Sequence, residues 1–90
     1  MKTLLVDIDK AMLQHCLKRV GGRQPLHIAT SKGHALMQMR HGPGFDIIVA
    51  CERLEDGSGL ALLGEVQLKW PQVIRVFCSE SHRLEIVRGR

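Results

Sequence analysis

The chain has few aromatic side chains, with two phenylalanines, one tryptophan and no tyrosine in 90 residues. Proteins that hold single-stranded nucleic acid stack successive bases on aromatic platforms. Such platforms are not expected here, because Phe45, Trp70 and Phe77 are far apart in the sequence. The formal net charge of +4 permits weak attraction to nucleic acid, but the basic residues are dispersed and not clustered. Nucleic-acid binding through this domain is therefore disfavoured.

Long apolar runs are also missing. No stretch approaches the roughly 20 residues that a membrane-spanning helix needs. The apolar segment Leu4–Val6 is too short for the core of a signal peptide and is followed by Asp7. Ninety residues correspond to one domain. The sequence predicts a single cytoplasmic domain, residues 1–90, that does not bind membranes.

The cysteines are three in number and widely spaced, at Cys16, Cys51 and Cys78. An odd number without a Cys-x-x-Cys pair is typical of reduced thiols in a cytosolic protein rather than a disulfide framework. A zinc site needs clustered ligands, and the five histidines are scattered. We expect no metal and no cofactor.

Short apolar segments alternate with helical patterns along the chain. Continuous apolar runs suit strands of a parallel sheet, because helices cover both faces of such a sheet. Ser31 and Ser58 (or Gly59) are candidate helix starts, and Pro71 is a stop signal. Strands are predicted over 3–7, 26–30, 45–51 and 73–78, and a helix is predicted after each strand. The inward positions of the first helix are Leu13, Cys16, Leu17 and Val20. The last helix is predicted as one or two turns after Ser81, with inward positions Leu84, Ile86 and Val87.

This alternation predicts an α/β protein with three layers and right-handed crossovers. A flavodoxin-like arrangement gives the strand order 2-1-3-4, in which the first and third strands are central. Asp7, Cys51 and Ser79 then fall at the ends of the first, third and fourth strands. These ends share the carboxyl edge of the sheet, where open α/β folds place their sites.

From Leu4 to about Val87 the chain resembles the receiver domain of bacterial response regulators, through those three positions, the Asp56-Gly57-Ser58-Gly59-Leu60 segment and the Trp70-Pro71 helix stop. In that family the residue matching Cys51 is the aspartate that becomes phosphorylated. Asp7 matches one member of the acidic pair that holds Mg²⁺, whereas Ile8 stands at the other. Ser79 matches the hydroxyl residue that responds to phosphate.

The departures from the family pattern imply lost chemistry. A cysteine cannot form the acyl phosphate, and Mg²⁺ is a hard cation that needs oxygen ligands. Ser79 then has the simpler role of a turn or cap hydroxyl. The resemblance thus implies a non-enzymatic pseudo-receiver of two-component signalling and phosphorelay, which cannot be phosphorylated and acts by protein–protein contacts.

The chain stops at Arg90, so we expect the fifth strand and helix of a receiver to be missing. The lysine that follows the fifth strand in that family is then missing as well. The fourth strand is then expected to be an exposed edge, on which a charge such as Arg75 resists aggregation. With a fifth strand present, Arg75 would instead lie near the interior and need a partner. The expected interaction surface comprises Leu13, Leu17, Arg75, His82, Arg83 and Val87.

Three readings follow from that surface and from Cys51. The sheet is completed by a protein partner or by a second copy in a homodimer, or these residues are the front part of a longer regulator with an output domain. Alternatively, Cys51 is a redox-responsive thiol in a polar crevice. No histidine is evidently placed to activate it, and the nearby Asp7 works against a thiolate.

Overall fold

The computed structural model describes residues 2–6, 26–42, 44–79 and 83–87. The predicted helix that carries Leu13, Cys16, Leu17 and Val20 lies outside them. No helix among the described residues is long and apolar enough to cross a bilayer. The described strands are β1 (Thr3–Val6), β2 (Leu26–Ala29), β3 (Ile47–Cys51), β4 (Arg53–Leu54), β5 (Gly57–Ser58), β6 (Ile74–Cys78) and β7 (Leu84–Val87), and the described helices are α1 (Lys32–His41) and α2 (Gly59–Lys69).

The main sheet has five strands in the order β2-β1-β3-β6-β7. β2, β1, β3 and β6 run parallel to one another. This confirms the predicted order 2-1-3-4, with β6 as the fourth predicted strand. The central strands β1 and β3 are almost fully buried, as their continuous apolar sequences indicate. β4 and β5 form a separate two-stranded antiparallel ribbon after β3.

Both helices begin where the sequence predicts. The Ser31 hydroxyl accepts the N–H of His34 at 3.0 Å, and the Ser58 hydroxyl accepts the N–H of Ala61 at 3.0 Å. Each serine thus satisfies one backbone donor that the first helical turn leaves without an intrahelical partner. α1 ends at His41 and α2 at Lys69, next to the Gly42 and Trp70-Pro71 stops.

Side chains of alternating strand residues enter two apolar layers. One layer lies between the sheet and the two helices. The other lies on the opposite face and contains Leu5, Val49, Cys51 and Cys78, each at most 4% exposed. The helix-side layer consists of Leu4, Val6, Ala29, Ala35, Leu36, Met39, Phe45, Ile48, Ala50, Leu54, Leu62, Leu63, Val66 and Val73.

The last described segment corrects the sequence prediction. Leu84–Val87 was expected to be helical but is strand β7, antiparallel to β6. Its apolar and charged residues alternate and it ends in two β-branched residues, both typical of strands. So short a segment forms a helix poorly, whereas pairing satisfies the backbone groups along one side of β6. A fifth strand is therefore present, and β6 is not an edge.

The prediction for Arg75 is corrected as a consequence. The residue is only 8% exposed and lies opposite Val87 in the β6–β7 pairing. Its guanidinium Nη1 donates to the Gln67 side-chain oxygen on α2 at 3.2 Å. The alternative derived from the sequence, an interior arginine with a partner, is the one observed. Arg75 does not protect an exposed edge.

Candidate functional site

The carboxyl ends of β3 and β6 meet at Cys51 and Cys78, which are register partners. Cys51 is 4% exposed and Cys78 is 0% exposed. Both side chains belong to the apolar layer that contains Leu5 and Val49. Position 51, which the sequence resemblance matches to the phosphoacceptor of receivers, therefore holds a thiol in a largely apolar environment.

The thiol at position 51 is not a suitable ligand for Mg²⁺. The ion needs several oxygen ligands at short distance and stays partly hydrated. The buried Cys51 side chain offers a sulfur atom and no oxygen. Within the described ranges no three histidine, cysteine or acidic side chains come together as a metal site. Asp7 and Ile8 lie outside the described residues.

Ser79 follows β6 directly and is half-buried. Its backbone N–H donates to the Arg83 carbonyl at 3.0 Å, and its hydroxyl accepts the N–H of Arg83 at 3.4 Å. The side chain therefore helps to join the end of β6 to the start of β7.

Gly59, the first residue of α2, packs against the end of β3. Its N–H donates to the Glu52 carbonyl at 3.1 Å, and the Glu52 N–H donates to the Cys78 carbonyl at 3.1 Å. A Cβ at position 59 would overlap the carbonyl oxygen of Cys51 and lie 2.9 Å from its carbonyl carbon. Sequence reasoning placed the helix start correctly but missed this close approach, for which the only signal is a glycine directly after a capping serine.

Asp56 lies in the turn between β4 and β5 and caps α1 from outside the helix. Its Oδ1 accepts the Lys32 N–H at 2.6 Å and its Oδ2 accepts the Gly33 N–H at 2.9 Å. These hydrogen bonds, from Gly33 first and then Lys32, lower the pKa of the Asp56 carboxyl. The sequence indicated a turn at Asp56 but not this distant cap, which joins the loop after β3 to the start of α1.

The expected interaction surface is only partly within the described residues. Leu13, Leu17 and His82 lie outside them. Arg75 is buried, and Val87 is half-buried against the helix-side layer. Arg83 is exposed. The large apolar side chains that are exposed are Ile28, Met37, Leu60, Leu68, Ile74 and Ile86.

A cavity of about 510 Å³ opens at the amino end of the sheet. Its lining includes Lys2, Asp46 and Val73, which precede β1, β3 and β6. Cys51 and Ser79 lie at the opposite, carboxyl end of these strands. The cavity is therefore at the opposite end of the sheet from Cys51 and Ser79.

Comparisons with known proteins agree with this architecture. No protein-family model matches the chain, and no curated protein matches it. The Mn²⁺-bound response regulator Rcp1 superposes with a TM-score of 0.76 at 18% identity, over 91% of this chain and 67% of that one. A CheY-like response regulator receiver domain protein from Methanospirillum hungatei gives 0.72 at 23% identity, over 87% and 62%.

A third solved structure, named as an adenylate cyclase from Rhodopirellula baltica, gives a TM-score of 0.72 at 20% identity, over 84% of this chain and 56% of that one. The chain thus spans about two thirds or less of the length of these solved chains. At such identities the likeness shows the fold alone. The chain has the α/β fold of response regulator receiver domains, with β7 antiparallel at one end of the sheet.

Proposed function

We propose that the protein is a receiver-like signalling module of a two-component system that is not phosphorylated and works through protein–protein contacts. The observation that carries the proposal is Cys51, a buried thiol at the end of the central strand β3. The partner is another protein or a second copy of the chain, in the cytoplasm, and the module performs no catalysis of its own.

Phosphoryl transfer to a receiver needs a carboxylate that solvent and Mg²⁺ can reach. Cys51 provides a sulfur atom instead of a carboxylate, and its side chain packs with Leu5 and Cys78. Ser79, at the position of the phosphate-responsive hydroxyl, accepts a hydrogen bond from the Arg83 N–H at the start of β7. These features support a scaffold whose contacts do not depend on an acyl phosphate.

The test is incubation with acetyl phosphate and Mg²⁺, followed by intact-mass spectrometry, with an ordinary receiver domain as positive control. We expect no acid-labile phosphoryl adduct on this chain. The Cys51→Asp variant is expected to stay largely unlabelled as well, because Ile8 still replaces one acidic residue. Efficient labelling of the wild-type chain would refute the proposal, and efficient labelling of Cys51→Asp would show that only the acceptor was lost.

A redox function through Cys51 is the second candidate. The observation in its favour is that Cys51 and Cys78 are register partners in one apolar layer. Reactive thiols are partly exposed, whereas Cys51 is 4% exposed. Iodoacetamide labelling, mapped by peptide mass spectrometry, decides between the two. Labelling of native Cys51 as fast as in urea supports the redox candidate, and slow native labelling supports a structural thiol.

A further inference from the structure

The strand β7 is one end of the five-stranded sheet. In the part of the chain that the structure describes, only β6 pairs with it. The outer side of such a strand presents backbone N–H and C=O groups that can pair with another strand. The β7 edge, defined as the outer side of residues 83–87, is therefore a candidate interaction surface.

Hydrogen bonds identify the groups that point outward. The Cys78 carbonyl accepts from Glu52, so the backbone of Cys78 faces β3 and that of the next residue, Ser79, faces β7. The Ser79 N–H accordingly donates to the Arg83 carbonyl. Because the direction alternates along an antiparallel pair, Arg83 and Glu85 face β6. The N–H and C=O groups of Leu84 and Ile86 point away from β6.

The β7 edge has charged side chains on one face of the sheet and apolar side chains on the other. Arg83 and Glu85 are exposed and lie on one face, since they are two residues apart. Leu84 and Ile86 lie on the other face, where Leu84 packs on the apolar layer of Cys51. Ile86 is 63% exposed. The edge therefore has a charged face with both signs and an apolar face that is incompletely covered.

We propose that the β7 edge binds a second copy of this chain, with the two β7 strands antiparallel about a twofold axis at Leu84. Leu84 of each copy then lies opposite Leu84 of the other and exchanges backbone hydrogen bonds with it. Arg83 of each copy lies opposite Glu85 of the other. Two five-stranded sheets become one continuous sheet, and the apolar faces join at the axis.

Charge selects this register over its neighbours. Outward backbone groups must meet outward groups, so a twofold register is centred on a residue, and the interior residues of the β7 edge are Leu84, Glu85 and Ile86. Centring on Glu85 places two like charges directly opposite each other, which is destabilising. Centring on Ile86 places Glu85 opposite Val87. Centring on Leu84 alone gives two Arg83–Glu85 contacts, so the strand is complementary to itself.

This inference rests on the proposed function, because it names the protein contact through which the module acts. The first test is sedimentation equilibrium of the full chain over a range of concentrations, for wild type, Arg83→Glu, Glu85→Arg and an equimolar mixture of the two variants. Both residues are exposed, so the fold should persist in each variant. Circular dichroism checks that it does.

We expect the wild-type chain to form a dimer. In each single variant the dimer dissociation constant should be roughly tenfold or more higher, because every Arg83–Glu85 contact becomes a like-charge contact. In the mixture the variant chains complement each other, so a heterodimer of wild-type strength should form. A wild-type chain that stays monomeric, or a mixture no tighter than either variant alone, overturns the pairing.

A second variant tests the backbone contacts. Ile86→Pro removes an outward N–H and leaves the bonds between β6 and β7 in place, a position where edge strands tolerate proline. It should abolish the dimer, and in the wild type the amides of Leu84 and Ile86 should exchange more slowly as concentration rises. Exchange independent of concentration overturns the pairing. A chain that is monomeric in sedimentation and unlabelled by acetyl phosphate would refute only this inference. A chain labelled by acetyl phosphate would refute the proposed function.

Discussion

Replacing Gly59 by alanine should destabilise the protein through contact with its own backbone. Gly59 is buried at the first position of α2, and an added Cβ would overlap the Cys51 carbonyl oxygen. It would also lie 2.9 Å from the Cys51 carbonyl carbon and 3.4 Å from that of Ala50. All three neighbours are main-chain atoms of β3, so no side chain can rotate away. Helix α2 or the end of β3 must move.

The expected cost is about 1–3 kcal/mol, the range for overpacking a well-packed interior. For a domain of this size, each kcal/mol changes the melting temperature by roughly 4–8 °C. Gly64→Ala is the matched control in the same helix, since nothing lies within 4 Å of an added Cβ there. Alanine is the better helix former, so Gly64→Ala should stabilise the protein by about 0.5–1 kcal/mol.

Urea unfolding monitored by Trp70 fluorescence and far-ultraviolet circular dichroism measures both variants. The two glycines differ in what surrounds them, not in residue type, so the opposite signs are the critical result. A Gly59→Ala variant as stable as wild type, or a loss of stability in both variants, would refute the close approach between α2 and β3.

Three further predictions concern buried charge and helix capping. Arg75→Met should be neutral or stabilising, because the buried guanidinium has a neutral partner, whereas Gln67→Leu should cost about 1–3 kcal/mol by leaving that charge without its acceptor; a large loss in Arg75→Met would contradict this. Ser58→Ala should cost about 1 kcal/mol in urea unfolding, and an unchanged midpoint would argue against the cap. Asp56→Ala should lower stability at pH 7 more than Glu55→Ala, its exposed neighbour in the turn. The folded pKa of Asp56 lies below its ordinary value of 3.8, so its contribution is present above about pH 4 and is lost as the pH falls through the folded pKa; a difference that does not shrink as the pH is lowered below 4 would contradict the assignment.

The strand β7 adds an antiparallel member to the otherwise parallel main sheet. A parallel fifth strand needs a crossover of a dozen or more residues, usually a helix. An antiparallel strand can follow after a short connection, and here the Ser79 N–H donates to the Arg83 carbonyl where β6 and β7 meet. The added strand covers β6 and buries Arg75, and among the described residues the sheet ends at β7. The edge expected at Arg75 thus lies one strand further out.

Local patterns in the sequence determined most of the parallel sheet and both described helices. Ser31 and Ser58 cap helices by bonding their own first turns, and the apolar run of β3 indicates a central strand. Such features depend on neighbours within a few residues, so they can be predicted from the local sequence. The position of Cys51 at the end of that strand followed from the same pattern.

Only the tertiary structure decided the direction of β7, the burial of Arg75 and the cap that Asp56 places on α1. Each depends on a partner that is distant in the sequence: β6 for Leu84–Val87, Gln67 for Arg75 and the start of α1 for Asp56. The segment Leu84–Val87 is too short for its own periodicity to fix a conformation. Its conformation is fixed by pairing with β6, because the hydrogen bonds between the two strands satisfy backbone groups of both strands.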